Sequence, residues 1–156
     1  MNTVFALSAL VAVAATVLTI TRRNAVHALL YLVVSLLAVA VIMFLLGAAF
    51  VAALEVIVYA GAIMVLFVFV IMLIGHESIA MQPRAWIGPS VMSAILLAEM
   101  AWVLKAGRLT GAAPVEIGPK QIGISLFGPY LLGAEMAAFL LLAGLVGAFH
   151  LGRRRN

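Results

Sequence analysis

Cysteine is absent from the 156 residues, which excludes a disulfide framework, thiolate-ligated zinc and a cysteine-held iron–sulfur cluster. Aspartate is absent as well, and the five acidic residues are all glutamates. Charge of either sign is scarce: 9% of residues are charged against 67% hydrophobic. A soluble domain sits nearer about a quarter charged and half apolar, so a water-soluble core is excluded. No nucleophile elbow, nucleotide-binding loop, metal-ligand spacing or redox motif occurs. The formal charge of +4 does not mark a nucleic-acid binder, because the Lys and Arg residues lie between apolar runs rather than on one face. Basic residues flanking membrane spans account for them.

Long apolar runs are what the chain has instead. A helix needs about 20 apolar residues to cross the hydrocarbon core. Runs of that kind predict transmembrane helices at roughly 4–20, 28–48, 52–74, 86–105 and 127–151. The stretch from Ala28 to Ile74 holds no Lys or Arg and is long enough for two spans. Its turn is expected near Gly47–Val51, where small residues interrupt the large aliphatics. Pro89 and Pro129 fall near helix starts, where a missing N–H is tolerated. Trp86 and Tyr130 fall there too, as interfacial anchors do. The expectation is an all-α polytopic membrane protein, one transmembrane domain over 1–156, with an ordered external loop over 105–126 that packs on partner subunits.

The segment Met1–Ile20 lacks a basic leader and a small-residue cleavage site, and reads as a retained first helix. Six arginines (22, 23, 84, 153, 154 and 155) fall on one side of the five-span arrangement. Lys105, Arg108 and Lys120 fall on the other. The positive-inside rule then puts the N-terminus outside and the C-terminus in the cytoplasm.

One run stands apart: Leu54-Glu-Val-Ile-Val-Tyr-Ala-Gly-Ala-Ile-Met-Val-Leu-Phe-Val-Phe-Val-Ile-Met-Leu73. It is apolar enough for a bilayer, yet carries the Glu55 carboxyl and the Tyr59 phenol one helical turn apart. An ionisable group at membrane depth is costly and marks a functional site. At i and i+4 the two share a face and are within reach of a hydrogen bond, directly or through one water. Gly61 permits close helix packing or a local irregularity such as a π-turn. The plainer readings are that Glu55 snorkels to the interface, Tyr59 packs, and Gly61 is a small contact residue. Glu99 and Glu135, on the fourth and fifth spans, fall with Glu55 in the outer half of the membrane. Glu99 reads as structural; Glu135 divides evenly between a structural and a functional role. His27, His76 and His150 lie at cytoplasmic helix ends, are not spaced as metal or haem ligands, and read as polar anchors. The Met- and Phe-rich run Met64–Met72 is filler facing lipid or helices.

The same run closely resembles the third span of the complex I family of membrane subunits known as subunit J in bacterial NADH–quinone oxidoreductase and subunit 6 in mitochondria. Asn24-Ala-Val-His-Ala-Leu-Leu-Tyr31 resembles that family's first helix junction. Trp86-Ile-Gly-Pro89, Gly123-Ile-Ser-Leu-Phe-Gly-Pro-Tyr130 and Leu140-Leu-Leu-Ala-Gly-Leu-Val146 with Phe149-His150 are similar to its fourth and fifth spans. The resemblance implies a place in the inner-membrane arm of a bacterial complex I, beside the quinone-site subunit, the small linker subunits and the antiporter-like subunits, with lipid around them. It implies no cofactor on this chain; NADH, FMN, iron–sulfur clusters and quinone belong elsewhere in the complex. It further implies a π-bulge around Tyr59-Ala60-Gly61 whose formation and relaxation gate a proton path, and it carries that role to Glu55, Tyr59, Gly61 and Glu135. Glu99 matches no family position and receives no role. The alternatives are a purely structural assembly subunit of the same complex and a stand-alone ion carrier, the latter disfavoured by the absence of repeats.

Overall fold

The computed structural model describes residues 2–74, 86–110 and 117–153, and all of the regular structure in them is helical. Five helices are long and apolar enough to cross a membrane: Thr3–Thr21, Ala25–Leu45, Ala49–Ile74, Ile87–Lys105 and Leu131–Gly152. The five-span expectation therefore holds. The chain divides into two compact units, Met1–Glu116 and Ile117–Asn156.

The first unit is built on α1 (Asn2–Thr21) and α2 (Ala25–Leu45), which run antiparallel along their length. Small residues make that close approach possible. Ser8, Val11 and Ala15 line one stripe of α1; Val34, Ala38 and Val41 line the facing stripe of α2. In lipid no hydrophobic effect drives helices together, so tight packing of small side chains and interhelical hydrogen bonds must do it. Both are present. The Ser35 hydroxyl donates to the Ala12 carbonyl across the interface at 3.2 Å, and Thr16 Oγ1 lies 2.7 Å from Ser35 Oγ. Leu96 of α5 (Ile87–Thr110) completes the buried cluster.

Turn chemistry fixes the ends. Asn24 caps α2, its side-chain oxygen accepting from the Val26 and His27 N–H groups. That satisfies two donors the helix start would otherwise leave open. At the other end Gly47 takes a left-handed φ of 85°. The Gly47 N–H bonds Phe44 O and the Ala48 N–H bonds Met43 O, each at 3.0 Å. This is a Schellman closure, and its left-handed position is where glycine carries no Cβ penalty. It places the turn inside the segment the sequence indicated.

The third span begins at Ala49 rather than 52 and changes helix type within the bilayer. It comprises α3 (Ala49–Leu54), a π-helical segment (Glu55–Ile63) and α4 (Met64–Ile74). α2 packs against all three pieces. α5 starts just after Trp86, with Pro89 in its first turn as expected.

The second unit holds α6 (Pro119–Leu126) and α7 (Leu131–Gly152). The sequence reading gave 105–126 as loop and began the last span at 127. Instead Pro119 opens a short helix at its first position, where Pro is pre-organised. Gln121 Oε1 accepts from the Gly118 N–H to close its start. Residues 127–130 form the turn into α7, and Tyr130 directly precedes that helix.

Candidate functional site

Three of the residues the sequence singled out, Glu55, Tyr59 and Gly61, lie in the π-helical segment. Its boundaries are visible in the hydrogen bonds. The Glu55 N–H still reaches back four residues to Val51 O, as in an α-helix. The Met64 N–H reaches back five, to Tyr59 O. Between them lie nine residues of wider winding. The expected irregularity at Tyr59-Ala60-Gly61 is therefore present but longer, beginning on Glu55 itself. Gly61 has a geometric reason to be glycine: a Cβ there would lie 3.2 Å from the Val56 carbonyl oxygen. π-turns are rare and are frequently found at functional sites.

Glu55 is half-buried and Tyr59 is 48% exposed. Among the described residues no direct hydrogen bond joins the two, so the direct link the i, i+4 spacing allowed is not made. Depth also changes. Glu55 follows six residues of α3, about 9 Å into the span at 1.5 Å per residue, so it sits deeper than a start at 52 implied. Interfacial snorkelling becomes a longer reach. Only 6% of the most apolar window of this span is buried within the chain. The span's flanks are thus surface, open to lipid or to other chains.

Glu135 is the fifth residue of α7, exposed within its own unit. His27 lies in the first turn of α2 and His150 in the last turn of α7; His76 lies outside the described residues. No cluster of three metal-binding side chains occurs among the described residues.

Two features escaped the sequence reading. The first is Glu99, which is 7% exposed and fixed by the Ser8 hydroxyl, donating to its Oε2 at 2.6 Å. Nothing in either helix alone announces the pair, because it depends on how α1 and α5 cross. The second joins two of the segments quoted above. Tyr31 is buried in α2, the Arg22 guanidinium stands 5.3 Å above its ring, and its hydroxyl faces Gly88 at the start of α5. A Cβ on Gly88 would overlap that hydroxyl and lie 3.1 Å from Cζ.

Fold and site together define a polytopic membrane protein with a π-wound, carboxylate-bearing span and no redox or metal-binding constellation among its described residues. Comparison with known proteins narrows this class. The family described as NADH-ubiquinone/plastoquinone oxidoreductase chain 6 matches residues 15–151. NADH-quinone oxidoreductase subunit J of Escherichia coli K12 is 49% identical over all of this chain and 89% of its own length. The subunit J of Pseudomonas aeruginosa is 49% identical over 99% of this chain and 98% of its own. That of Buchnera aphidicola from Acyrthosiphon pisum is 44% identical over all of this chain and 96% of its own. The chain belongs to the NADH-ubiquinone/plastoquinone oxidoreductase chain 6 family.

Proposed function

We propose that this chain couples quinone reduction to proton translocation within NADH–quinone oxidoreductase, and that the third span is the moving part. As a family member the chain is a subunit of that enzyme complex and supplies no redox centre of its own in this reading. The observation that carries the gating role is the π-helical segment Glu55–Ile63, which contains Glu55, Tyr59 and Gly61 in the middle of a 26-residue span.

The physics of the switch is simple. An α-helix turns about 100° and rises about 1.5 Å per residue. Each residue withdrawn from the wide winding therefore rotates α4 by about 100° against α3 and shifts it by about 1.5 Å. Tyr59 lies within the segment that rewinds, so its phenol changes face while Glu55, at the boundary, moves least. A proton path running past both would be joined in one register and broken in the other. Such a helix acts as a switch when quinone chemistry stabilises one register over the other. Glu135 would take part from α7. The bare flanks of the third span suit contact with the quinone-site, linker and antiporter-like subunits of a bacterial inner-membrane complex whose N-terminal end here faces outward.

The test is substitution in the assembled complex. Glu55→Gln and Tyr59→Phe should each leave assembly and NADH oxidation by an artificial acceptor intact, while lowering protons translocated per NADH in proteoliposomes. Normal pumping in both variants, or failure of both to assemble, returns the segment to a structural role.

A further inference from the structure

We propose that Glu99 is a proton-binding site: a carboxyl group sealed in the seam between α1 and α5 that takes up and returns one proton at Oε1. The inference does not rest on the gating of the third span, which is a different element.

The geometry isolates one oxygen. Glu99 Oε2 accepts from Ser8 at 2.6 Å, and Ser8 is itself fully buried. Oε1 is buried and has no hydrogen-bond partner among the described residues. An ionised carboxylate offers about four lone-pair positions, and here a single donor fills one. Among the described residues no counter-charge faces it from the elements packed on α5. α1 has no titratable side chain from Asn2 to Thr21. α2 offers His27 in its first turn and Tyr31, whose hydroxyl meets Gly88, eleven residues before Glu99, or about 16 Å along the helix. On α5 itself Lys105 is exposed, beyond the next turn. That leaves Oε1 as the position at which a proton can bind and be given up. One O–H bond forms on Oε1, the proton being drawn from water, and the reverse step returns it; nothing is oxidised or reduced.

Ser8 can pass a proton to or from the carboxyl it touches. Ser8 Oγ both donates and accepts. A carboxyl whose sole task was to hold α1 to α5 would be served equally by an amide, and this distinguishes the two roles experimentally.

The experiment is infrared difference spectroscopy on the purified complex, comparing wild type, Glu99→Gln and Ser8→Ala in H2O and D2O across a pH titration. The expected difference between wild type and Glu99→Gln is one carboxylic-acid C=O band that shifts in D2O and converts reversibly to carboxylate bands as pH rises. Ser8→Ala should keep a titrating band and move it to higher frequency, because the group loses its hydrogen bond. Carboxylate bands at every pH would overturn the proposal, as would an acid band that neither exchanges nor titrates. If Glu99→Gln fails to assemble, the Ser8→Ala difference decides: a displaced, titrating acid band supports the site and its absence removes it.

Discussion

Replacing Gly61 by alanine should bias the third span toward the α-register. The added Cβ would sit 3.2 Å from the Val56 carbonyl oxygen, closer than such contacts normally come, so that carbonyl must yield by a few tenths of an ångström. The crowding belongs to the π winding, where Gly61 lies five residues after Val56. In the α-register the Gly61 N–H pairs with Ile57 instead, and the pressure falls. Relief of this size compares with a distortion of one bond angle by ~7°, about 1 kcal/mol. That amounts to roughly a fivefold change in the ratio of the two registers. Electron cryomicroscopy of the complex, with particles classified on the third span, reads the ratio directly. Proteoliposome assays read its consequence as fewer protons moved per NADH. An unchanged class ratio together with unchanged pumping, in a complex assembled at normal yield, would refute the reasoning. A larger loss with Gly61→Val should follow, since a β-branched side chain is also restricted at χ1 in a helix.

Gly88→Ala should lower the thermal midpoint of the complex by the equivalent of about 1–3 kcal/mol, the usual range for overpacking a filled site. Adding Tyr31→Phe should recover part of that loss, because the hydroxyl is the atom the new methyl strikes first; equal midpoints for single and double variants would count against the contact. Gly47→Ala forces a side chain into the left-handed region and should cost about 1–2 kcal/mol, seen as reduced assembly on heating. Asn24→Ala removes the acceptor for two N–H groups and should cost about 1 kcal/mol, whereas Asn24→Ser should come close to wild type. Glu55→Gln and Tyr59→Phe carry the functional expectation given above.

Much of the architecture was legible because a bilayer admits few answers. Runs of apolar residues long enough to span it had to be helices, and Gly47 announced the reversal between the second and third. Gly61 left room for an irregularity in the third span, and the resemblance to a family made it a π-bulge; Val56, Ile57 and Val58 give no local hint of wide winding. Its start on Glu55 was not foreseen, since the winding depends on backbone hydrogen bonds that no side-chain pattern encodes. α6 was missed for a different reason. An eight-residue helix with two glycines at its borders, Gly118 and Gly128, looks like loop by composition, and its Pro119 reads as a break unless it is taken as a first-turn residue. The burial of Glu99 was misjudged because its distance from Lys105 suggested the surface. What decides its environment is Ser8, ninety-one positions earlier. The meeting of Tyr31 with Gly88 was hidden for the same reason: both motifs were visible, their contact was not.

The uneven burial of the five spans bears on how the subunit is made. Within the first unit a third of α2 is covered by the chain itself, against 6% for the third span. The α1–α2 hairpin, joined by three residues and closed by the Asn24 cap, can mature as soon as it enters the membrane. The third span has little of its own unit to settle against and waits for neighbours. A surplus copy would leave Glu55 and Tyr59 on a flank open to lipid, where an ionisable group is costly. Supply of this subunit is therefore expected to be held in step with that of its neighbours, with the unassembled fraction short-lived.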